Sequence, residues 1–239
     1  MDKKIFYELF RESKKRKWET IDLLEKYFTK KGFINIFKAT AMAEKSITHF
    51  IEFVNQEINF SSERNIEPLI LPTTDESITS VNDNYFIVEK IRDTIVSDVS
   101  DIEFEIFCAK LIFNYFNADK YVVTQKGGDG GYDFYIKLLL NNHPLFQLEI
   151  YGQAKKWRNK IKRPEIDGFL GAPFNNNINK IHFLVFITTS NFTKDALDYA
   201  NSNNIICLNG LQISTMIFRT NQKDCINGKI KKVINELVA

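Results

Sequence analysis

The residues best suited to chemistry lie in two segments of the C-terminal half. The first is Gly128-Asp129-Gly130-Gly131-Tyr132-Asp133, and the second is Gln153-Ala154-Lys155. Side chains alternate between the two faces of a strand, so Asp133, Gln153 and Lys155 share one face if the two strands are neighbours in a hairpin. Carboxylate and amide oxygens bind hard divalent cations, and a lysine beside them can orient or deprotonate a water molecule.

Glu105 is a further candidate, on the helix predicted to precede these strands. It lies on one helical stripe with the apolar residues Ala109 and Ile112. A carboxylate on a buried stripe needs a partner, and a divalent cation shared with Asp133 would be one. The alternative is an acid near the helix N-terminus that complements the helix dipole.

The elements that must position these side chains alternate between helix and strand after Ser100. Hydrophobic periodicity predicts helices over residues 101–117, 165–174, 193–201 and 224–237. It predicts strands over residues 121–125, 132–140, 145–154, 181–188 and 205–208, with a hairpin at 141–144. On the strand at 145–154 we expect Ile150 and Gly152 to face the core, and Glu149 and Tyr151 to face away from it. This order predicts an α/β fold, a mixed sheet flanked by helices.

The first part of the chain follows a different pattern. Apolar residues recur at helical spacing from Lys3 to Phe60, and a polar stretch with turn-forming residues follows to about Asn84. We therefore predict a mainly helical domain over residues 1–98 and an α/β domain over residues 99–239.

Composition excludes several classes of protein. The chain has 239 residues, of which 44% are hydrophobic and 26% charged, and no apolar run is long enough to span a membrane. The cysteines Cys108, Cys207 and Cys225 are far apart and show no zinc-binding or disulfide pattern. The glycines at 127–131 lack a P-loop context. We therefore expect a cytoplasmic protein without a membrane partner and without a nucleotide cofactor.

Four motifs in order along the chain resemble the Mrr-type restriction endonuclease catalytic domain, a branch of the PD-(D/E)xK nucleases. They are Phe104-Glu105, residues 128–133, residues 153–155, and Phe186-Ile187-Thr188-Thr189-Ser190-Asn191-Phe192-Thr193 with Ala196 and Ala200. The resemblance covers about residues 101–215. It implies a restriction-endonuclease-like fold.

The resemblance also implies roles for individual residues. Asp133 resembles the metal-binding aspartate, Lys155 the catalytic lysine, and Glu105 the helix glutamate that completes the site. Gln153 stands where most PD-(D/E)xK nucleases have an acid, and glutamine at this position is typical of the Mrr branch. Gly131-Tyr132 stands where the wider superfamily has proline. The metal ligands would be Asp133, Glu105, Gln153 and the backbone carbonyl of Ala154. The cofactor would be Mg²⁺, for which Mn²⁺ can substitute. With glutamine in place of an acid, the site has one negative charge fewer for binding a metal ion, and Glu149 is a candidate to compensate for it in part.

Charge along the chain favours a polyanionic partner. Residues 1–45 carry a net charge of +5, residues 46–119 a net charge of −10 and residues 120–239 a net charge of +7. The densest basic run, residues 155–163, has six cations in nine residues. Alone it would indicate a solvated surface, but beside a nuclease centre it favours contact with DNA phosphates. The residues concerned are Lys156, Arg158, Lys160, Lys162 and Arg163.

The leading hypothesis is a Mg²⁺-dependent endodeoxyribonuclease, either a type II or a modification-dependent restriction enzyme, that acts on double-stranded DNA as a homodimer. Residues 1–98 would serve target recognition or dimerisation. Two alternatives stay open: a DNA-binding module on an inactive nuclease fold, and a structure-specific repair or junction nuclease. We expect the hydroxyls of Thr188, Thr189 and Ser190 to cap the following helix rather than to act in catalysis.

Overall fold

The computed structural model describes residues 1–32, 36–124, 131–140, 147–171 and 181–220. The chain divides into two compact units, Met1–Ile87 and Val88–Ala239. The division falls within a helix, α5 (Asp83–Asp98), whereas the boundary predicted from the sequence falls at the end of that helix. The hairpin predicted at 141–144, the helix predicted at 224–237 and the glycines at 127, 128 and 130 lie outside the described residues.

In its described residues before α5, the first unit packs four helices with a small antiparallel sheet. The helices are α1 (Lys3–Ser13), α2 (Thr20–Lys30), α3 (Ile36–Lys45) and α4 (Ile47–Glu63), and the strands are β1 (Lys17–Glu19), β2 (Ile70–Leu71) and β3 (Ile78–Val81), in the order β1-β3-β2. Its core is aromatic: Phe6 is fully buried and stacks on Tyr27 with ring centroids 4.6 Å apart. The sequence predicted no strand here, because strands of two to four residues are too short to show alternation.

The second unit contains a five-stranded mixed sheet. Its helices after α5 are α6 (Asp101–Tyr115), α7 (Arg163–Leu170), α8 (Lys194–Ser202) and α9 (Gly210–Thr220), and its strands are β4 (Lys120–Val123), β5 (Phe134–Leu139), β6 (Gln147–Lys155), β7 (Ile181–Thr188) and β8 (Ile205–Leu208). The strand order is β4-β5-β6-β7-β8, antiparallel from β4 to β6 and parallel from β6 to β8. Helices α7 and α8 make the crossovers that parallel neighbours require. The predicted α/β class is confirmed.

Helices cover both faces of this sheet. Helix α6 packs on β4, β5 and β6. On the other face, Tyr151 and Phe186 share an apolar cluster with Phe169 of α7 and Ala196 of α8. The prediction that Glu149 and Tyr151 face away from the core is therefore wrong: they are 1% and 4% exposed. Alternation identifies the two faces of a strand but not whether a helix covers the second one.

Two local features follow from residue type. Gly152 faces the ring of the fully buried Phe134 across the β5–β6 pair, and a Cβ at position 152 would collide with that ring. Helix α9, which the sequence analysis did not include, begins with reciprocal side-chain to backbone hydrogen bonds between Asn209 and Gln212. None of the helices in the described ranges is long and apolar enough to cross a bilayer.

Candidate active site

Asp133 lies immediately before β5, where the antiparallel ladder with β6 ends. Its backbone N–H donates to the Gly152 carbonyl at 2.8 Å. Its Oδ2 accepts hydrogen bonds from Nε2 of Gln153 at 2.8 Å and from the N–H of Ala154 at 2.7 Å. The side chain thus continues the ladder beyond the first residue of β5. The structure therefore brings Asp133 and Gln153 into direct contact.

The backbone around Asp133 is fixed by Thr124, the residue after β4. The Thr124 hydroxyl donates to the carbonyl of Tyr132 at 2.7 Å and to that of Asp133 at 3.0 Å, and its N–H donates to the Asp133 carbonyl at 2.9 Å. Gly131 has a φ of 68°, in the left-handed region that glycine adopts without strain. Sequence reasoning missed Thr124, because only the β4–β5 register places it opposite Asp133.

Glu105 lies on the first half of α6 and is half-buried. The helix N-terminus is already capped: Ser100 and Glu103 exchange side-chain to backbone hydrogen bonds at 2.8 and 3.3 Å. The acids in the first turn of α6 are Asp101 and Glu103, so Glu105 lies beyond the turn where an acid best complements the helix dipole. Burial raises the pKa of the Cys108 thiol well above its usual value, and the carboxylates of Asp133 and Glu105 raise it further. Both carboxylates therefore affect the same buried thiol.

Lys155 is the last residue of β6 and is half-buried. Its carbonyl accepts a hydrogen bond from the Thr188 hydroxyl at 2.8 Å and one from the Thr189 N–H at 3.3 Å. Its ammonium lies 5.8 Å from the centroid of the Trp157 ring. No ion pair joins Lys155 to an acid in the part of the chain that the structure describes.

The basic segment, defined as residues 155–163, runs from the end of β6 to the start of α7. Arg158, Lys160 and Lys162 are exposed, and Lys156 is partly exposed. The guanidinium of Arg163 lies 4.4 Å from the centroid of the Tyr199 ring. Among the described residues, no carboxylate forms an ion pair with any cation of this segment. Their positive charge is therefore not neutralised within the described structure.

Glu149 does not approach Asp133. Its Oε1 accepts a hydrogen bond from the hydroxyl of Tyr135 and its Oε2 one from the hydroxyl of Tyr151, both at 3.0 Å. Four residues of strand separate it from Gln153, which is about 13 Å at 3.3 Å per residue. The expectation that Glu149 supplies the missing charge of the site is therefore wrong. Its carboxylate is bound by the buried Tyr151 and the half-buried Tyr135, and partial burial together with Glu149 raises the pKa of Tyr135.

The oxygens beside Asp133 suit a hard divalent cation. Oδ1 of Asp133 and Oε1 of Gln153 accept no hydrogen bond from any residue that the structure describes. The N–H and C=O of one strand residue point to the same side, so the Ala154 carbonyl points toward the Asp133 side of β6. Within the described ranges, no three His, Cys, Asp or Glu side chains form a metal-binding group. The amide and the carbonyl would therefore have to complete a ligand set with the two acids.

Thr188, Thr189 and Ser190 do not cap α8, contrary to the prediction. The cap is Thr193, whose side chain accepts a hydrogen bond from the Ala196 N–H at 3.2 Å. The three earlier hydroxyls donate to carbonyls of the basic segment instead. Sequence reasoning missed this role, because it depends on the parallel register that sets Thr188 opposite Lys155.

Comparison with known proteins identifies the family of the chain. A family model for the Mrr catalytic domain, described as a restriction endonuclease, matches residues 96–217, about half of the chain. The chain belongs to the Mrr-type restriction endonuclease family. The resemblance drawn from the four motifs is thereby confirmed.

A curated relative of this Mrr-type chain is the Type IV methyl-directed restriction enzyme EcoKMrr of Escherichia coli (strain K12). The two are 43% identical over 75 residues, which is 31% of this chain and 22% of that enzyme. The chain thus matches about a fifth of the length of this relative.

Two solved structures are similar to the chain at 15% sequence identity. One is the MspJI restriction endonuclease in complex with a 27-mer oligonucleotide, with a TM-score of 0.46 over 70% of this chain and 36% of that one. The other is the DNA modification-dependent restriction endonuclease AspBHI, with a TM-score of 0.47 over 72% of this chain and 44% of that one.

Proposed function

We propose that this Mrr-type chain is a Mg²⁺-dependent endodeoxyribonuclease that hydrolyses phosphodiester bonds in duplex DNA as a type II or modification-dependent restriction enzyme. The observation that carries the proposal is the Asp133 carboxylate, which accepts hydrogen bonds from Gln153 and Ala154 and lies beside the strand that ends in Lys155. Family membership supports the same reaction class.

Each side chain has a role in this proposal. Asp133, Glu105, Gln153 and the carbonyl of Ala154 would hold Mg²⁺ or Mn²⁺. When bound, the cation offsets the negative charge that develops on the phosphodiester. The ammonium of Lys155 orients the attacking water and donates hydrogen bonds to the phosphate oxygens. The backbone of Lys155 is held by hydrogen bonds from Thr188 and Thr189, so its side chain extends from a fixed Cα.

The basic segment would hold the DNA backbone on either side of the cut. Lys156, Arg158, Lys160 and Lys162 have no carboxylate partner among the described residues, so a phosphate can pair with each of them. Each phosphate that they neutralise would steepen the salt dependence of binding by about 0.9 in a double-logarithmic plot.

The test is cleavage of methylated and unmethylated duplex DNA with Mg²⁺ or with EDTA. Methylated DNA is included because the curated relative is named as methyl-directed. Wild type is compared with Lys155→Ala and with a matched control, Lys120→Ala, which removes an exposed lysine from β4. We expect discrete fragments with Mg²⁺ for wild type and Lys120→Ala and none for Lys155→Ala. Binding without cleavage by wild type would contradict the proposal and favour a DNA-binding module.

We also propose that residues 99–239 carry catalysis as a homodimer and that residues 1–98 serve target recognition or dimerisation. Cutting both strands of a duplex calls for two active centres, and two-fold dimers are the commonest way to supply them. Analytical ultracentrifugation with and without a cognate duplex tests this. A two-to-one complex of protein with DNA supports the proposal, and a one-to-one complex that cuts both strands contradicts it.

A further inference from the structure

Three consecutive hydroxyls after β7 are bonded to alternate carbonyls of the basic segment. The three bonds are Thr188 Oγ1 to the Lys155 carbonyl at 2.8 Å, Thr189 Oγ1 to the Trp157 carbonyl at 3.0 Å, and Ser190 Oγ to the Asn159 carbonyl at 2.7 Å. We propose that Thr188, Thr189 and Ser190 form a hydroxyl ladder that positions the basic segment for DNA cleavage. The inference rests on the proposed function.

The far end of the segment is tied by its backbone. The N–H of Ile161 donates to the Asn191 carbonyl at 2.8 Å, and the N–H of Thr193 donates to the Ile161 carbonyl at 2.9 Å. The Ile161 side chain is fully buried in the apolar cluster between the sheet and helices α7 and α8. The ladder and this bridge together hold the segment at residues 155, 157, 159 and 161.

A segment with six cations in nine residues needs such anchoring. Like charges this close repel one another, and runs of them are ordinarily extended or disordered. No carboxylate among the described residues pairs with these cations. The ladder fixes the backbone through its carbonyls and leaves the charged side chains available. A polyanion then meets cations whose backbone is already ordered, which lowers the entropy lost on binding.

Burial shows that two of the three hydroxyls serve carbonyls rather than solvent, whereas Ser190 is partly exposed. Thr188 and Thr189 are 0% and 3% exposed. The Thr188 oxygen also accepts a hydrogen bond from the Ser190 N–H at 3.2 Å. Valine has nearly the same shape as threonine and suits a strand end at least as well. Valine lacks the hydroxyl, so it removes the hydrogen bond to the basic segment and, at position 188, also the bond accepted from the Ser190 N–H.

The ladder has two parts with different consequences. Thr188 donates to the backbone carbonyl of Lys155 and so positions the residue that carries the proposed catalytic ammonium. Thr189 and Ser190 bond to the residues that flank Arg158 and so position the phosphate-contacting cations. We expect loss of Thr188 to act mainly on the rate of cleavage. Loss of the other two hydroxyls should act mainly on DNA affinity.

Two ladder variants test this split by single-turnover cleavage and equilibrium DNA binding. Thr188→Val should lower the cleavage rate constant by about 100-fold and change the Kd for DNA by a smaller factor. Thr189→Val with Ser190→Ala should raise that Kd by about tenfold, a larger effect than on the rate constant. Thr188→Ser keeps the hydroxyl and should restore most of the rate. The matched control is Thr94→Val, which removes the hydrogen bond from a buried hydroxyl to the Lys90 carbonyl at 2.8 Å in α5.

Equal losses of rate and affinity in all variants, including Thr94→Val, would overturn the inference, because they would report stability alone. Limited trypsin digestion provides a readout that needs no nuclease activity. We expect cleavage within residues 156–163 to be about tenfold faster in Thr189→Val/Ser190→Ala than in wild type or Thr94→Val. Equal digestion rates would also overturn the inference. If wild type cuts no DNA, the proposed function fails, and the digestion still tests the ladder.

Discussion

Gly152→Ala should damage the candidate site through packing alone. A Cβ at position 152 collides with three atoms of the Phe134 ring, and Phe134 is fully buried and adjoins Asp133. Overpacking a close-packed interior costs about 1–3 kcal/mol. Stabilities of natural domains are about 5–15 kcal/mol, so the variant remains folded at 25 °C.

Relief of the collision must move the ring or separate β5 from β6. Either movement disturbs the 2.8 Å hydrogen bond from the Asp133 N–H to the Gly152 carbonyl. A displacement of about 1 Å at a catalytic group can lower a rate by about 100-fold. We therefore expect a loss of cleavage far greater than the loss of folded protein.

The assay is urea unfolding together with single-turnover cleavage. The matched control is Gly168→Ala in α7, where a Cβ meets no atom within 4 Å. Alanine in a helix interior is favoured over glycine by about 0.5–1 kcal/mol, so the control should be slightly more stable than wild type and as active. A Gly152→Ala protein that cleaves DNA like wild type would refute the reasoning, as would equal stability of the two variants.

Three further predictions concern charge and burial. Lys160→Ala with Lys162→Ala should weaken DNA binding and reduce its salt slope by about 1.8, because each removed phosphate contact accounts for about 0.9; an unchanged slope would mean that neither contacts phosphate. Tyr135→Phe should cost about 1–3 kcal/mol at pH 7, since the buried Glu149 carboxylate loses the hydrogen bond donated by Tyr135. The pKa of Tyr135 is raised in the folded state. The protonated hydroxyl therefore contributes to the free energy of unfolding below pH 10.0, the pKa of tyrosine in the unfolded chain, and this contribution is lost at higher pH. The alkaline fall in the free energy of unfolding should therefore be smaller in the variant, and equal falls would contradict this. Cys108 should resist alkylation at pH 8 in the native protein, because it is fully buried and its thiol pKa is raised. Rapid alkylation of Cys108, detected by mass spectrometry, would contradict its burial.

The sequence predicted the catalytic half of the fold well, because its elements have strong periodicity. The strands at 181–188 and 205–208 agree with β7 and β8 at both ends. The predicted antiparallel pairing is observed and brings Asp133 to Gln153, since the hydrophobic pattern sets the register of a hairpin with a buried face.

What the sequence left out depends on contacts between elements distant in the chain. Glu149 was predicted to face away from the core, because nothing local indicates that α7 and α8 cover that face of the sheet. Thr188 was predicted to cap a helix, because its bond to Lys155 exists only in the parallel β6–β7 register. Alternation alone would place Tyr132 on the Phe134 face, but Tyr132 precedes β5 and its ring contacts Tyr151 instead, with ring centroids 4.9 Å apart. Local pattern thus identifies elements and candidate residues, whereas tertiary pairing decides their partners.

The measurement that tests the central proposal most directly is Mg²⁺-dependent DNA cleavage by Asp133→Ala. Its control is Asp119→Ala, which removes another aspartate that accepts a backbone hydrogen bond, from Leu139 at 2.6 Å. We predict that Asp133→Ala folds and retains much of its DNA binding but does not cut, because it loses a proposed metal ligand, whereas Asp119→Ala cuts. Full cleavage by Asp133→Ala, or equal loss of cleavage in both variants, would contradict the assignment of this site.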